Sequence, residues 1–490
     1  MGNNGHKLKK RGVKLSFYFL SLLIVAIAAI GGTYAWIGRS VTLPSTVEII
    51  QGTNSSTLDI AASERIGAVY QTLLNNYVEG VDKEALIEGA LSGMVEAVGD
   101  PYSQYLNTEE SENLDETISA SFEGIGAEIM SLNQQIVIVS PIKGSPAEKA
   151  GLLPNDIILS ADGESLQGLT ASEAVALIRG EKGSEVVLEI VRGDQTFKVN
   201  ITRDTIPIET VTFELDEEYP EIGIVHVSSF STPTYDDIVS AVTDLRTQGA
   251  TSFVFDFRQN PGGLLDQALK ISNMFLDDGD VIMQTKEKDA EPNKIVASDS
   301  EFGDFKITEP SVLLVDEGSA SASEIVAGAL QESSEIPLVG TTTFGKGTVQ
   351  TVYPLTESSE LKLTVAKWLT PNGNWIHQKG IAVDYEVALP EYATLTIIDS
   401  TATYEEGTVS EEVKNVEAML NAIGYAVEAD GYYDEATVEQ VASFQAANEL
   451  DATGIVTGDT ALAIVEKLRE VLTENDTQYD KAVEILMGNE

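Results

Sequence analysis

An uncharged apolar run near the N-terminus restricts the chain more than any other feature. Residues 15–37 contain no charged side chain over 23 positions, and the basic residues Lys7, Lys9, Lys10, Arg11 and Lys14 precede them. A helix of this length, at about 1.5 Å per residue, crosses a bilayer core of about 30 Å. The basic flank predicts that residues 1–14 are cytoplasmic and that the rest lies outside. A signal peptide cleaved after Ala35 is the alternative, and either way the remainder is exported.

Composition limits the chemistry of the exported part. The 490 residues correspond to about three folded units at roughly 150 residues each. With 30 Lys and Arg against 78 Asp and Glu, the net charge is −48, which repels phosphate backbones and argues against nucleic acid as a partner. The absence of cysteine excludes disulfides and thiolate nucleophiles, and only three histidines are present. We therefore expect no metal and no cofactor.

Two stretches of different periodicity follow a polar linker. Residues 58–118 carry apolar side chains at a spacing of three to four and predict helices that face a core or a partner. Residues 119–203 change to short alternating strands and Gly-rich turns, with predicted strands at 127–130, 136–139, 157–159, 186–191 and 197–201. One helix is predicted at residues 171–178, capped by Thr170.

Residues 119–203 resemble a PDZ domain of the bacterial, circularly permuted kind. The resemblance lies in Phe122-Glu123-Gly124-Ile125-Gly126, in Ser145-Pro146-Ala147 and in Asn155-Asp156-Ile157-Ile158. It implies a peptide-binding site at Gly124, Ile125 and Gly126. There the glycines let backbone amides turn toward a carboxylate, and a strand edge accepts the peptide.

Residues 204–390 alternate strands with helices and predict an α/β core. Strands are predicted at 222–227, 253–257, 312–315, 336–339 and 361–368, and helices at 234–248, 264–275 and 323–331. Ligand sites in such sheets gather at the strand ends.

One predicted strand end carries three serines. The strand at 312–315 runs through Ser319, Ser321 and Ser323 into a helix. A serine at a tight strand-to-helix turn is lifted clear of its neighbours, and the helix N-terminus offers unpaired N–H groups to an oxyanion. By itself the pattern is equally typical of a helix cap with small packing residues.

A lysine downstream supplies the partner for such a serine. Lys346 lies between two glycines after the strand at 336–339. A lysine acts as a base near neutral pH only when burial stabilises its uncharged form. Without cysteine, a serine activated by a neutral lysine is an adequate nucleophile system. The alternative is an ordinary surface lysine.

Together these motifs resemble the carboxyl-terminal processing (tail-specific) proteases, a family of Ser–Lys peptidases with an inserted PDZ domain. The resemblance covers residues 58–390 through Gly318–Glu324 and Phe344–Gly347, with 25 residues between serine and lysine and four from lysine to glutamine. It implies that Ser321 is the nucleophile, Lys346 the base and Gln350 the residue that orients the lysine. It also implies an oxyanion hole formed by Ala322 with Gly262 or Gly263.

Other candidates are demoted. His226 is predicted to be a buried core imidazole and His377 to make local hydrogen bonds, although a Ser–His–Asp triad using either stays open. Glu324 and Asp256 are expected to cap or to pair with Arg258. Arg179, grouped with the peptide-binding residues, ends the helix at 171–178; it either complements the helix dipole or couples peptide occupancy to the catalytic site.

The last unit, residues 408–472, resembles a three-helix peptidoglycan-binding domain, through Asp430-Gly431-Tyr432-Tyr433 and Thr453-Gly454-Ile455-Val456. The expected fold is an α/β serine-peptidase core with an inserted PDZ-like domain, an N-terminal transmembrane helix and a C-terminal wall-binding module. The expected function is a membrane-anchored extracytoplasmic endopeptidase, acting as a homodimer on unstructured C-terminal tails. The alternative is a non-catalytic envelope scaffold.

Overall fold

The computed structural model describes residues 60–132, 134–356 and 358–488. The predicted basic tail and membrane span, residues 1–37, lie outside the described residues. Across the described ranges, no helix is long and apolar enough to cross a membrane.

The N-terminal segment consists of three helices and one short strand. Their bounds are α1 Ile60–Asn76, α2 Lys83–Glu96, β1 Gln104–Leu106 and α3 Thr108–Ser119. Val69 and Val98 are 62% and 64% exposed, and α2 buries none of its residues. Of the two predictions for these helices, a core-facing role is therefore wrong for α2, and a partner-facing role stays open.

The PDZ-like region follows as a small β-rich unit. Its elements are β2 Ser121–Gly124, β3 Ala127–Leu132, β4 Gln135–Pro141, α4 Pro146–Lys149, β5 Ile157–Ala161, β6 Glu164–Ser165, α5 Ala171–Ile178, β7 Glu185–Arg192, β8 Gln195–Thr202 and β9 Asp204–Pro207. The main sheet has the order β3-β4-β5-β7-β8, with β3 at its edge. All five predicted strands and the helix are confirmed, including the Thr170 cap. Because β9 pairs antiparallel with β2, the first and last strands of the PDZ-like unit lie side by side where it joins the rest of the chain.

The peptidase region contains two sheets. Its elements are β10 Val211–Leu215, β11 Ile222–Val227, α6 Thr234–Gln248, β12 Ser252–Asp256, α7 Leu265–Asn273, β13 Val281–Glu287, β14 Asn293–Val296, α8 Asp299–Phe302, β15 Ser311–Val315, α9 Ala322–Ser333, β16 Leu338–Gly340, β17 Thr348–Pro354, β18 Glu360–Leu369 and β19 Tyr385–Glu386. One sheet has the order β10-β11-β12-β15-β16-β19 and is parallel from β11 onward. The side chains of α6, α7 and α9 pack on one of its faces.

The second sheet runs β1-β18-β13-β14, and β17 forms a hairpin with β18. The strand predicted at 361–368 therefore exists, but it belongs to this sheet and not to the parallel one. β1 joins the edge of β18 from more than 250 positions away in the chain. Sequence patterns do not predict a pairing of such long range.

The C-terminal unit has three helices around its own core, as predicted. They are α10 Glu411–Ala422, α11 Glu435–Ala447 and α12 Gly458–Glu474, and Tyr433 and Phe444 are fully buried among them.

A further helix, α13 Thr477–Leu486, returns to the peptidase. It was not predicted. Its Ala482 packs with the fully buried Val254, Val312 and Leu314 on the face of the parallel sheet opposite α6, α7 and α9. Parallel sheets are normally covered on both faces, so α13 completes the peptidase core.

Candidate active site

Ser321 lies in the turn between β15 and α9. Its φ of 55° is in the left-handed region, which is uncommon for a residue other than glycine and marks local strain. The hydroxyls of its neighbours are used elsewhere: Ser319 Oγ donates to Phe257 O at 2.8 Å, and Ser323 Oγ donates to Asn260 O at 2.9 Å. Both neighbours are 0% exposed, whereas Ser321 is 8% exposed. Of the three predicted serines, Ser321 is the one that lines a cleft.

That cleft brings together several of the predicted residues. Ser321, Ala322, Gly263 and Gln350 line it, and Trp368 contributes an apolar wall. Its volume of about 20 Å³ is enough for about one water molecule.

The loop after β12 forms one side of the cleft, and it separates the two predicted glycines. Gly262 has a φ of 99°, and a Cβ there would lie 2.4 Å from Ala320 O, so the loop packs against the serine turn only with glycine. Its N–H, however, donates to Asn260 Oδ1 at 2.8 Å. The prediction of Gly262 as an oxyanion donor therefore does not fit this conformation, because its amide is already used. Gly263 and Ala322 are the two candidates that line the cleft, and the N–H of Ala322, at the first position of α9, has no acceptor within its helix.

Lys346 is buried, with 6% of its surface exposed. Burial and, less strongly, the nearby Lys362 together lower the pKa of its amine to about 8, although Glu324 and Asp100 oppose them. Its Nζ lies 5.2 Å from the ring centre of Tyr102.

Glu324, predicted only as a cap, connects the serine turn to the lysine loop. Its Oε2 accepts the backbone N–H groups of both Ser321 and Lys346, each at 2.8 Å. Its Oε1 accepts Gly345 N–H and Thr343 Oγ1, each at 2.6 Å. The side chain is 0% exposed, and its burial raises the pKa of the carboxyl although these hydrogen bonds oppose that change. An acidic residue at the third helical position is common as a capping box, so the sequence carried no signal for the contacts beyond Ser321.

Gln350 is buried on β17 at 4% exposure. Its Nε2 donates to Thr348 Oγ1 at 3.0 Å and to Thr364 Oγ1 at 3.1 Å. Both bonds use the amide nitrogen, which leaves the amide oxygen as the acceptor for a neighbouring amine.

The predicted peptide-binding residues lie between β2 and β3. Gly124, Ile125 and Gly126 are buried, and Gly126 has a φ of 72° and no space for a side chain, since a Cβ there would lie 2.5 Å from Ser145 Cβ. The adjacent β3 is the edge strand of its sheet, which is the geometry that strand addition requires.

Arg179 lies beside the predicted peptide-binding turn, with its Cγ 3.6 Å from the position that a Cβ on Gly124 would take. Its Nη1 donates to both carboxylate oxygens of Glu116 at 2.9 Å, and its guanidinium lies 4.6 Å from the ring centre of Phe122. It therefore links the end of α5 to α3, a placement that fits the coupling hypothesis better than direct contact with a peptide.

The alternatives to a Ser–Lys site were a triad or a metal site that uses His226 or His377 and the acidic residues near them. The prediction of His226 as a buried core imidazole is wrong: its side chain is 44% exposed, with Nδ1 3.7 Å from Asp256. Asp256 pairs with Arg258 at 2.7 Å, as predicted. Nδ1 of His377 accepts Gly347 N–H at 3.4 Å, which is the local bonding predicted for it. Among the described residues, no group of three or more His, Asp and Glu side chains is placed to hold a metal ion.

Comparison with known protein families matches four parts of the chain. Peptidase family S41 matches residues 221–387, a PDZ domain matches 137–192, and a putative peptidoglycan-binding domain matches 409–464. The N-terminal domain of the activating protease CtpB matches 25–110.

Whole proteins match over most of their length. The carboxy-terminal processing protease CtpA of Bacillus subtilis (strain 168) is 43% identical over 97% of this chain and 99% of that protein. A probable CtpA-like serine protease of Staphylococcus aureus (strain N315) is 37% identical over 89% of this chain and 87% of that protein. Among solved structures, a photosystem II D1 C-terminal processing protease is 29% identical with a TM-score of 0.39, over 66% of this chain and 88% of that one.

Proposed function

The chain belongs to peptidase family S41, and we propose that it is an extracytoplasmic endopeptidase that recognises C-terminal tails of proteins and cleaves through Ser321 and Lys346. The observation that carries the proposal is the shared bond to Glu324. One carboxylate oxygen receives the backbone N–H groups of both Ser321 and Lys346. The backbone segments that carry the proposed nucleophile and base therefore meet at one carboxylate oxygen, although the two residues are 25 positions apart in the chain.

The chemistry follows from the state of the lysine. With a pKa of about 8, roughly one Lys346 in ten is neutral at pH 7, against fewer than about one in a thousand for an ordinary lysine. The neutral amine takes the proton of Ser321 Oγ as that oxygen attacks the scissile carbonyl, and then gives it to the leaving amine. An acyl-enzyme results. Water attacks this ester, Lys346 accepts the proton of the water, and the same proton returns to Ser321 as the acid product leaves.

Two further groups assist these steps in the proposal. The N–H groups of Gly263 and Ala322 stabilise the oxyanion, and losing one such donor typically costs about 10² to 10³ in turnover. The amide oxygen of Gln350 orients the lysine amine, because its amide nitrogen is held by two threonines.

Tail recognition is assigned to the PDZ-like unit. The edge of β3 offers unpaired backbone groups for an added strand, and the turn at Gly124–Gly126 offers amides to a terminal carboxylate. The relative CtpA is named for carboxy-terminal processing, which supports substrates with unstructured C-terminal tails.

The remaining proposals concern location and assembly. The apolar run at 15–37 anchors the chain in the cell membrane with its catalytic part outside, unless cleavage after Ala35 releases it. The three-helix unit binds peptidoglycan. A second copy covers the apolar side chains that α1 and α2 expose, Val69 and Met94 among them, which makes a homodimer.

A labelling experiment tests the nucleophile and the base together. Full-length protein, Ser321→Ala, Lys346→Ala and the exposed control Lys379→Ala are incubated with a fluorophosphonate and, separately, with an unfolded casein substrate. We expect the wild type and the control to be labelled on Ser321 and to cleave casein, and the two site variants to do neither. Equal, near-zero cleavage by all four proteins would favour the non-catalytic scaffold, whereas unchanged cleavage by Lys346→Ala would remove the lysine from the mechanism.

A further inference from the structure

The turn that follows α2 reaches the catalytic lysine. Asp100 accepts the N–H of Tyr102 at 3.2 Å and the hydroxyl of Ser103 at 2.6 Å. These two bonds fold residues 100–103 into a compact turn. No motif in the sequence assigns chemistry to this segment.

The turn is fastened to the hairpin that carries Gln350. β1 pairs antiparallel with β18, with Gln104 opposite Lys362. Thr364 N–H donates to Ser103 Oγ at 3.0 Å, and the hydroxyl of the same Thr364 accepts Gln350 Nε2. Thr364 therefore holds both the turn and Gln350 in place.

Tyr102 extends from this turn over Lys346. Its ring centre is 5.2 Å from Lys346 Nζ, and its ring also meets His377 edge-on, with the two ring centres 6.1 Å apart. The phenol is itself partly buried, so it is a wall of the lysine site and not a mobile surface group.

From this geometry we propose that Tyr102 is a positioning residue for Lys346: it holds the amine in place and keeps water away from it, so that the N-terminal segment completes the catalytic site. The proposal rests on the proposed function, which makes Lys346 the base.

The ring has two opposite effects on the lysine. An aromatic face attracts an ammonium ion, which favours the protonated form. Exclusion of water disfavours the same form. Burial is the largest cause of the lowered pKa of Lys346, and the proposal therefore takes the exclusion of water to be the larger effect of the ring.

Other charges also act on Lys346, and variants at position 102 leave them in place. Lys362 on β18 lowers its pKa, whereas Glu324 on α9 and Asp100 in the turn raise it. His377 and Lys367 lie beside the rings of Tyr102 and Trp375. If substitution of Tyr102 changes the pKa of Lys346, the change is therefore due to the loss of the aromatic ring.

The test uses full-length protein with Tyr102→Ala, Tyr102→Leu and Tyr102→Phe. Tyr353→Ala, at the far end of the same hairpin and 37% exposed, is the matched control. The rate of fluorophosphonate labelling of Ser321 is measured from pH 5 to pH 10, with kcat and KM for a tail-bearing peptide.

For Tyr102→Ala we expect the acid-side midpoint of the labelling profile to rise by about one pH unit. The rate at pH 7 then falls about tenfold, because one pKa unit changes the neutral fraction of the amine tenfold. KM stays unchanged. Tyr102→Phe, which retains the ring, keeps the wild-type midpoint, and Tyr102→Leu, which excludes water without a π face, has the same midpoint or a lower one. The control follows the wild type.

Two results overturn the proposal. One is a Tyr102→Ala profile that superimposes on the wild type. The other is an equal loss of rate in all three variants without a shift of the midpoint, which means that the residue only supports the fold. Failure of the proposed function is seen separately, as labelling that persists with its acid limb in Lys346→Ala.

Discussion

Two segments far from Ser321 in the chain dock on the peptidase region, and they do so in contrasting ways. Residues 100–106 attach to the edge of β18 through polar bonds and place a ring on Lys346. Helix α13 attaches to the broad face of the parallel sheet through apolar packing, with Ala482 at the centre. One contact is made beside the catalytic groups and the other on a face that carries none of them.

This contrast shows two ways in which a distant segment of the chain can affect the peptidase region. An edge contact beside a titrating group changes the chemistry of that group at little cost to the fold. An apolar cover over five fully buried strand residues changes the stability of the fold, since those residues would otherwise meet water. Measurements of pH profile and of unfolding should therefore respond to different segments.

The largest expected effect is on α13. Ala482 is 0% exposed, and Ala482→Asp places a carboxylate without a partner against the sheet. We expect the free energy of unfolding to fall by about 3 kcal/mol or more, measured by denaturant titration with the fluorescence of the buried Trp368. Labelling of Ser321 per folded molecule stays at the wild-type rate.

Met487→Asp is the control for that change, because Met487 is 39% exposed near the end of the same helix. Its unfolding midpoint stays close to that of the wild type. An Ala482→Asp protein that unfolds at the wild-type midpoint would show that α13 does not support the core.

A second substitution acts inside the catalytic site. Glu324→Gln retains the shape of the side chain, but an amide accepts through one oxygen only, whereas the carboxylate accepts at both. We expect kcat to fall by on the order of 10²-fold, because the serine turn and the lysine loop lose their common anchor. Steady-state kinetics with a tail-bearing peptide measure this. Glu317→Gln, at an exposed glutamate four residues before Ser321, is the matched control, and an equal loss in both variants contradicts the role given to Glu324.

A pH-dependent contribution to stability is expected from Asp256 at the end of β12, whose partner Arg258 also donates to Asp476 just before α13. Burial alone would raise the pKa of Asp256, but the nearby His226 and the hydrogen bonds and charge of Arg258 hold it at about 2. A carboxyl whose pKa is lowered on folding stabilises the protein above its unfolded pKa of about 4. That contribution, about 2 kcal/mol, is lost as the pH falls toward 2. The difference in unfolding free energy between wild type and Asp256→Asn should therefore be present at pH 7 and shrink between pH 5 and pH 2; a difference that does not vary with pH would contradict this.

The smallest expected effect is at the PDZ-like unit. The side chains of Arg179 and Glu116 are 38% and 31% exposed, and such pairs contribute no more than about 1 kcal/mol. Arg179→Ala therefore changes the unfolding free energy by less than that. If the pair couples the unit to the catalytic site, the variant loses the preference for tail-bearing over tail-less peptides and retains the basal rate. The coupling hypothesis fails if that preference survives.

Local patterns predicted the elements that carry Ser321, because a strand, a serine turn and a helix are read over about 20 adjacent residues. The roles of Lys346 and Gln350 were predicted only through the resemblance to the carboxyl-terminal processing proteases, because neither residue stands out by its local pattern. The sequence did not predict that Glu324 binds the loop that carries Lys346. A glutamate at this position is an ordinary helix cap until residues 343–346 fold against it. Tyr102 and α13 were missed for the same physical reason: Tyr102 is 244 residues from Lys346, Ala482 is at least 143 residues from the buried strand residues that it covers, and no periodicity encodes which surface they meet. His226 was misjudged because one face of β11 is only partly covered, so that Ile224 and His226 both remain partly exposed.

The return of α13 to the peptidase also determines how the three-helix unit is held. The unit is connected to the peptidase through residues 388–410 on one side. On the other side it is connected through Asp476 and Gln478, whose side chains accept from Arg258. Both ends of the three-helix unit are thus attached to the peptidase region. After a single proteolytic cut in residues 388–410 the unit is still held by the docked α13, so its release also requires α13 to detach or a second cut before that helix.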